Sequence, residues 1–442
     1  MQDTKDPMPD DIDADEFTYI EAGCHCELNS FAIPLRSSNL PIPVDFCHCN
    51  ICRHTSGELA VQYVPFEGVP IKSSRPVSRT RIVKQLHGNS RSRSRSPTPG
   101  SHKHDHLITT SIANLLAPPI VIKVEDPPPS PFELSNLNQY EASDGLTHCF
   151  CKTCSAQLFQ VQKVDGKAIW SVAVGVLDRT EGIVKIRAHI WVGDTLDGGF
   201  ANHFRMLDNV ELPRYKEGFG SELLSPTWRD PVLDGHSKGS QDNLPVYCHC
   251  RTVSFNITRP NEDSTLPSAP FPDVLCPYNV THLYKIRNPS DQKWWLRANN
   301  TRYLAGYCMC PTCRLTSGME LQTWAFVPIW NILDPRTNEP ISLRETDKRP
   351  PGLKQYMSTP GRYRECCETC GAVVFWWQSN RQELIDISVG LFDEKAGGGA
   401  RAEDWLEWHK DRISFSDSAM SPALVKGLLE GLNGGNIGFE KA

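Results

Sequence analysis

The chain has 442 residues and a formal net charge of −6 at pH 7, with 39% hydrophobic and 22% charged residues. This length accommodates about two or three ordinary domains, and the small net charge singles out no class of partner. No stretch approaches the roughly 20 apolar residues that span a bilayer, so no membrane partner is predicted. Residues 1–16 are acidic where a secretory signal needs a basic start and an apolar run, and we predict a disordered N-terminus there. We therefore expect a protein of the cytoplasm or the nucleus, in a reducing environment.

Most of the predicted secondary structure is strand, in short runs rich in β-branched and aromatic residues and bounded by Gly, Pro or Asp. In chain order the runs are 30–35, 60–66, 169–177, 186–192, 252–257, 322–328, 372–377 and 384–392. One segment, 421–432, has a helical pattern, with Ser421 as its cap and Pro422 in its first turn. Because helical stretches between the strands are scarce, the sequence predicts an all-β protein with mainly antiparallel strands and a short C-terminal helix.

Cysteine is the most informative residue type, with 17 copies in the chain. Disulfides are disfavoured by this odd number and by the expected reducing compartment. The cysteines of the pairs Cys24/Cys26, Cys47/Cys49, Cys248/Cys250 and Cys308/Cys310 are separated by a single residue. In a strand such residues point to the same face about 6.7 Å apart. Two thiolates so placed can converge on one metal ion at metal–sulfur distances of about 2.3 Å, as can those of a C-x-x-C turn. The spacing therefore favours metal binding.

The cysteines form the same pattern twice: C-x-C, then C-x-C-x-x-C, then C-x-x-C. The first copy consists of Cys24, Cys26, Cys47, Cys49, Cys52, Cys151 and Cys154. The second copy consists of Cys248, Cys250, Cys308, Cys310, Cys313, Cys367 and Cys370. The cysteines outside the pattern are Cys149, Cys276 and Cys366.

The sequences around the cysteines repeat as well. Residues 47–66 match residues 308–328, and both segments carry C-R-x-T-S-G and a later Val-Pro. Tyr140 and Gly145 of the first copy match Tyr356 and Gly361 of the second. Residues 174–178 match residues 389–393. We interpret the chain as an internal duplication, two tandem copies of one module.

The stretch from about 71 to 131 interrupts the first copy and is predicted to be a disordered insertion. Between 71 and 106 it holds nine Lys or Arg residues against one acid, with Ser-Arg alternation and Ser-Pro and Thr-Pro pairs. A solvated loop is the favoured interpretation. The alternative is a phosphorylatable basic loop that contacts nucleic acid or a phosphoprotein. His102, His104 and His106 alternate within it, and flexible chain is favoured over a metal site there.

Three other segments lie outside the repeat. Residues 208–244, with scattered Pro, Gly and Ser, are predicted to be a linker. Residues about 259–300 form a second insertion, in which Trp294 and Trp295 are expected to cover the second copy. Residues 416–442 form a tail that contains the helix. The predicted zinc-binding domains are 17–207 and 245–415.

The motifs resemble the glutathione-dependent formaldehyde-activating enzymes and their relatives, which include centromere protein V. The resemblance rests on the cysteine pattern, the T-S-G after each central triplet, the C-x-x-C, and the V-G-V-L-D run that is followed by His189-Ile190. It covers both predicted domains but not the N-terminus, the Arg/Ser insertion, the linker or the tail.

The chain departs from the family pattern at a few positions. Glu27, Arg251 and Ser155 stand where the family usually has Gly, whereas Gly371 keeps it in the second copy. The second copy has no clear His-Ile ending, and the nearest histidine is His409.

The resemblance implies two zinc ions per copy on an antiparallel scaffold known as a β-tent. The implied closed sites are Cys24, Cys26, Cys151 and Cys154 in the first copy, and Cys248, Cys250, Cys367 and Cys370 in the second. The implied second sites, with three ligands each, are Cys47, Cys49 and Cys52, and Cys308, Cys310 and Cys313. The ligand counts agree with this division, because four ligands complete a structural tetrahedron whereas three leave one position for water or substrate.

The charge of the three-cysteine sites suggests their chemistry. Three thiolates and Zn²⁺ sum to −1, which makes the metal better suited to accept a thiol than to ionise water. That fits the addition of glutathione to formaldehyde or another small aldehyde, so the resemblance implies a carbon–sulfur lyase with these six cysteines at its catalytic centres. No general acid is evident. His48 is expected on the opposite strand face, Arg53 and Arg314 are candidates by nearness only, and Thr55-Ser56-Gly57 is interpreted as a turn or helix cap.

The alternative is a catalytically inactive, zinc-stabilised binding module of the centromere protein V type. In that case a fourth protein ligand, from Cys149, Cys366 or a histidine, would complete each three-cysteine site. Between the copies, the first is predicted to be the active one, because it keeps the His-Ile ending and the C-H-C-x-x-C form.

Overall fold

The computed structural model describes residues 16–73, 120–121, 130–234, 242–279, 283–345 and 348–434. Within these ranges the chain is mostly β, and the longest helix is the one near the C-terminus. None of the helices in these ranges has the length and apolar character of a membrane span. We call residues 16–234 the first half and residues 242–434 the second half.

The elements follow in chain order. The strands of the first half are β1 (Phe17–Gly23), β2 (Ser30–Arg36), β3 (Ile42–Cys47), β4 (Tyr63–Phe66), β5 (Ile71–Lys72), β6 (Ile120–Val121), β7 (Leu137–Ser143), β8 (Leu146–Cys151), β9 (Gln157–Val164), β10 (Lys167–Ala173), β11 (Val184–Ile190), β12 (Met206–Leu207) and β13 (Val210–Glu211). Those of the second half are β14 (Asn243–Tyr247), β15 (Ser254–Thr258), β16 (Leu296–Arg297), β17 (Arg302–Cys308), β18 (Gln322–Pro328), β19 (Ile332–Leu333), β20 (Leu353–Thr359), β21 (Arg362–Cys367), β22 (Val373–Gln378), β23 (Arg381–Ser388) and β24 (Leu406–Trp408). The helices are α1 (Asn50–Ser56), α2 (Gly199–His203), α3 (Leu283–Ile286), α4 (Pro311–Ser317) and α5 (Pro422–Leu432).

Each half is built around one antiparallel sheet and one smaller hairpin sheet. In the first half the strand orders are β4-β10-β9-β8-β7 and β5-β2-β1-β6. In the second half they are β16-β17-β18-β23-β22-β21-β20 and β14-β15-β19. Two parallel pairs, β3 with β11 and β17 with β24, are exceptions among the described strands to the antiparallel arrangement that the sequence predicts.

The predicted insertion and linker differ in part from their expected character. Residues 71–72 and 120–121 form strands on either side of the β1–β2 hairpin, so ordered chain reaches into the predicted insertion at both ends. Most of the remaining insertion, with His102, His104 and His106, lies outside the described residues, as do residues 1–15. Residues 208–234 are not an extended spacer, because Leu212 is buried in the larger of the apolar cores and Leu224 is buried with Val192 and Ala201. Composition alone suggested a linker because the segment lacks a regular hydrophobic period.

The two largest apolar cores contain residues from both halves. The larger core joins Phe46 and Phe200 of the first half to Trp408 and Leu428 of the second. The smaller core belongs mainly to the first half but includes Met319. The halves therefore share their hydrophobic interior, although the sequence suggests two separate domains.

A reciprocal pair of backbone contacts locks the halves together. The N–H of Gly175 donates to the carbonyl oxygen of Gly318 at 2.8 Å, and the N–H of Gly390 donates to that of Gly57 at 3.0 Å. Gly57 and Gly318 end α1 and α4 in the left-handed conformation, with φ of 90° and 79°. Because each glycine lacks a Cβ, each helix end approaches the backbone of the other half closely.

Candidate metal centres

Two clusters of four cysteines form at hairpin turns. Cys24 and Cys26 lie in the turn between β1 and β2. Cys151 is the last residue of β8, and Cys154 lies in the turn before β9. The second half repeats this placement with Cys248, Cys250, Cys367 and Cys370. The spacing predicts C-x-C pairs on strand faces, but the structure places Cys24/Cys26 and Cys248/Cys250 in turns. The thiols converge there because the backbone curls around them, with Asn29 N–H donating to Cys24 Sγ at 3.4 Å.

The backbone is left-handed at the positions where the resemblance predicts glycine. Glu27, Arg251 and Ser155 adopt positive φ angles of 66°, 61° and 58°, and Gly371 has a φ of 78°. Glycine enters this left-handed region without steric cost, whereas other residues pay roughly 1–2 kcal/mol. The curled turns are therefore kept at these three positions in spite of the substituted side chains.

The spacing of the thiols fits a metal ion and not a disulfide. All four sulfurs of each cluster lie within 4.8 Å of one another. The Sγ–Sγ distances include 3.6 Å for Cys24–Cys26, 3.5 Å for Cys26–Cys151 and 3.4 Å for Cys248–Cys250. A sulfur tetrahedron around a metal ion at about 2.3 Å has edges of about 3.8 Å, whereas disulfide sulfurs lie about 2.05 Å apart. The donor set therefore fits one metal ion per cluster.

Each closed cluster also contacts the other half of the chain. His25, between Cys24 and Cys26, lies with its Nδ1 2.8 Å from the hydroxyl of Tyr356. In the second half, Nδ1 of His249 lies 2.7 Å from the hydroxyl of Tyr140. The reciprocal pairs tie each four-cysteine turn to the sheet of the other half.

Two clusters of three cysteines form where a strand meets a short helix. Cys47 and Cys308 end β3 and β17, and Cys49 and Cys310 are the N-caps of α1 and α4. Their sulfurs accept hydrogen bonds from Cys52 N–H at 3.4 Å and from Cys313 N–H at 3.3 Å. This capping turns the backbone so that the third cysteine of each motif faces the first two, within 4.8 Å.

The three-cysteine clusters gain no fourth ligand from the described part of the chain. Among the described residues, no further histidine, cysteine or carboxylate has a ligand atom within 4.8 Å of all three sulfurs of Cys47, Cys49 and Cys52. The same holds for Cys308, Cys310 and Cys313. Cys149 and Cys366 are buried but belong to neither cluster, and burial raises the pKa of each thiol to about 12. Cys49 and Cys310 are partly exposed, so each cluster has a solvent-facing side.

The polar residues named as candidates from nearness have structural roles. The hydroxyls of Thr55 and Ser56 donate to carbonyl oxygens of α1 at 2.7 Å, and Gly57 is the C-cap, as the interpretation of a helix cap predicted. Arg53 donates to Glu394 at 3.2 Å, and Arg314 donates to the carbonyl oxygen of Leu177 at 3.0 Å. All of these contacts support the helices or the junction between the halves.

His48 and His189 form a buried pair. His189 Nε2 donates to the carbonyl oxygen of Phe204 at 2.8 Å, so its Nδ1 is free to accept from His48 Nε2 at 2.9 Å. Burial lowers the pKa of His189 to about 3. The His-Ile ending thus holds β11 against β3 with neutral rings, and neither ring joins the three-cysteine cluster.

A row of uncharged side chains lies beside the first three-cysteine cluster. His148, Gln160, Ser171 and Pro65 face one another across β8, β9, β10 and β4. Gln160 Nε2 lies 3.9 Å from Cys52 Sγ and 3.3 Å from His148 Nε2. The cysteine cluster and this row therefore share one face of the sheet.

The corresponding row beside the second cluster is bulky and charged. Arg364, Trp376, Asp386 and Phe326 face one another across β21, β22, β23 and β18. Arg364 is buried, donates from Nη2 to Cys313 Sγ at 3.2 Å and leaves Nε and Nη1 without a partner among the described residues. Arg381 pairs with Asp386 and lies 5.2 Å from the ring of Trp376. The side chains of this row are thus larger than their counterparts in the first half, and the row includes the ionisable Arg364 and Asp386.

Each half also places one side chain near the other's three-cysteine cluster. Glu58 Oε2 accepts from Thr323 N–H at 3.1 Å in the second half, and burial raises the pKa of Glu58 well above its ordinary value. At the matching position Met319 Sδ accepts from Gln62 N–H at 3.2 Å in the first half. No sequence pattern indicates this exchange, because it depends on how the halves pack.

Several of these neighbours were missed from the sequence. The repeat contains a signal for some of them, because aligning Tyr140 with Tyr356 puts His148 opposite Arg364. In the same way, aligning Cys52 with Cys313 puts Tyr63 opposite Trp324. Positions at which two otherwise similar copies differ in chemistry are candidates for divergent roles.

Comparison with known proteins identifies no relative: no family model, curated protein or solved structure matches this chain.

Proposed function

We propose that this chain is a zinc-dependent carbon–sulfur lyase of the glutathione-dependent formaldehyde-activating type, built from two β-tent modules that bind up to two zinc ions each. Four thiol clusters at separations typical of a sulfur tetrahedron support metal binding. Sets of three or four thiolates favour zinc in a reducing compartment. The repeated cysteine pattern and its flanks support the assignment to this family.

The observation that carries the proposal is the three-cysteine cluster Cys47, Cys49 and Cys52. Three thiolates converge there, no fourth ligand joins them from the described residues, and Cys49 is partly exposed. A structural site would be expected to have four protein ligands, as the closed clusters do. Zinc held by three thiolates would accept a substrate thiol in its thiolate form, which is the nucleophile that adds to an aldehyde.

The first half supports catalysis better than the second. Uncharged residues such as Gln160 and Ser171 border its three-cysteine cluster. In the second half the Arg364 guanidinium already donates to Cys313 Sγ, and Trp376 occupies the position of Gln160. We therefore assign the reaction to the three-cysteine cluster of the first half and not to that of the second half.

The test measures the reversible addition of glutathione to ¹³C-labelled formaldehyde by exchange NMR on zinc-loaded protein. We expect exchange faster than in buffer, and we expect Cys49→Ala to abolish the acceleration while the closed clusters keep their metal. Cys276→Ala is the matched control, because Cys276 belongs to no cluster. Metal-loaded protein that exchanges label no faster than buffer would contradict the proposal.

A second candidate function is a zinc-stabilised binding module of the centromere protein V type. The contact between Arg364 and Cys313 favours it for the second half, because a charge-assisted hydrogen bond to a thiolate stabilises a structural site. Cobalt-loaded protein distinguishes the two candidates. A reactive centre shifts its thiolate bands on addition of reduced but not oxidised glutathione, whereas a purely structural centre responds to neither.

A further inference from the structure

The first three-cysteine cluster lies beside a buried hydroxyl that has no partner. Tyr63 begins β4, and its hydroxyl oxygen is inaccessible to solvent and makes no hydrogen bond within the described ranges. A buried polar group without a partner costs about 1–3 kcal/mol. Such a group is rare in native proteins and is expected where a water molecule, an ion or a ligand completes the hydrogen bonding.

The position of Tyr63 relates it to the cysteine cluster. Val61, two residues before it in the chain, forms backbone hydrogen bonds with Cys47 at 2.9 and 3.0 Å. Residues two apart in extended chain point to the same side. Burial raises the pKa of Tyr63 well above its ordinary value. The phenol therefore keeps its proton at neutral pH and is available as a donor.

A second buried donor adjoins the first. The ring of His148 lies edge-on to that of Tyr63, with centroids 6.1 Å apart. Its Nε2 accepts from Gln160 Nε2 at 3.3 Å, so its proton is on Nδ1, which has no partner in the described structure. Burial lowers the pKa of His148 to about 4, so the ring is neutral at physiological pH. Two donors beside one thiol cluster thus lack acceptors.

The second half provides an internal comparison. Trp324 replaces Tyr63 and packs into the larger core, and Arg364 replaces His148 and donates to a cysteine sulfur. The hydroxyl is therefore absent from the half whose cluster is surrounded by large side chains.

We propose that Tyr63 is a catalytic residue of the first half, whose hydroxyl donates a hydrogen bond to the carbonyl oxygen of the aldehyde, with His148 Nδ1–H as the second donor. This inference rests on the proposed function, since it needs a thiol and an aldehyde to meet at Cys47, Cys49 and Cys52.

The step balances without any further reactant. The thiolate sulfur attacks the carbonyl carbon, a carbon–sulfur bond forms, and the π electron pair of the carbonyl moves onto oxygen. That oxygen takes up one proton, which equals the proton that the thiol lost. Tyr63 acts while negative charge develops on the oxygen, where a fixed donor in a buried site is most effective.

The test compares Tyr63→Phe with Trp324→Phe in the full zinc-loaded chain. Loss of one donor of this kind typically lowers the rate by about 10²–10³-fold, so we expect Tyr63→Phe to slow label exchange by at least about 100-fold. Trp324→Phe should leave the rate within about threefold of the unaltered protein. Because the hydroxyl has no partner, Tyr63→Phe should keep the metal content and should not lower the melting temperature.

A readout independent of turnover accompanies the rate. Glutathione titrated into cobalt-loaded Tyr63→Phe should shift the thiolate bands with unchanged affinity, because Tyr63 acts on the aldehyde oxygen and not on the thiol. If the unaltered protein neither exchanges label nor responds to glutathione, the proposed function fails. If the unaltered protein is active and Tyr63→Phe stays within threefold of it, the role of Tyr63 is refuted. If Tyr63→Phe loses metal, a protein with 3-fluorotyrosine at position 63 is measured in its place. A pH–rate profile identical to that of the unaltered protein would then refute the role of Tyr63.

Discussion

The contact between the halves makes a quantitative prediction for Gly318→Ala. Gly318 has a φ of +79°, and a Cβ there would lie 2.3 Å from the carbonyl oxygen of Gln157. The left-handed conformation costs alanine roughly 1–2 kcal/mol, and separating the packed backbones costs about 1–3 kcal/mol more. We therefore expect Gly318→Ala to lower the free energy of unfolding by about 2–5 kcal/mol.

Gly68 provides the matched control. Its φ is +78°, nearly the same as that of Gly318, but a Cβ at Gly68 would have no neighbour within 4 Å. Gly68→Ala should therefore show the conformational cost alone, roughly 1–2 kcal/mol. Urea unfolding of metal-loaded protein, followed by tryptophan fluorescence, measures both variants. Equal destabilisation by the two substitutions would refute the close packing of the halves at Gly318.

Two further predictions concern the closed clusters and the buried histidines. Cys24→Ser should remove one metal ion and lower the melting temperature of both halves in one transition, because His25 contacts Tyr356 of the other half. Cys276→Ser is the control. Two separate melting transitions would contradict the coupling of the halves. His189 should stay neutral, protonated on Nε2, at pH 5 in ¹⁵N NMR spectra, since burial lowers its pKa to about 3. The unfolded chain protonates this histidine near pH 6.5, whereas the folded chain does not. As the pH falls from 6.5 towards 3, His189 should therefore lower the free energy of unfolding by up to about 1.4 kcal/mol per pH unit. An imidazolium signal at pH 5 would contradict the hydrogen bonding of His189.

Local pattern was sufficient to predict several elements. The strand expected at 322–328 is β18, and the helix expected at 421–432 is α5, with Ser421 accepting from Leu424 N–H as its cap. The helices α1 and α4 were not predicted, because they are only seven residues long. Their N-caps are cysteines, which carry none of the usual Ser, Thr, Asp or Asn signal.

Spacing predicted which cysteines come together but not how. The four clusters contain the fourteen patterned cysteines in the predicted groups. The curled turns at Glu27 and Ser155, with left-handed backbone, could not be predicted because neither residue type favours that conformation. Glu58 and Met319 reach across to the opposite half, and contacts between segments this distant in sequence leave no periodic signal.

X-ray absorption at the zinc edge, combined with metal analysis, tests the central proposal most directly. Two clusters of four sulfurs and two of three predict four zinc ions per chain with an average of about 3.5 sulfur ligands each. Added glutathione should raise that average as its thiol binds at the first three-cysteine cluster, and Cys49→Ala should prevent the rise. Two zinc ions per chain, or four sulfurs on every zinc before glutathione is added, would contradict a reactive three-cysteine centre.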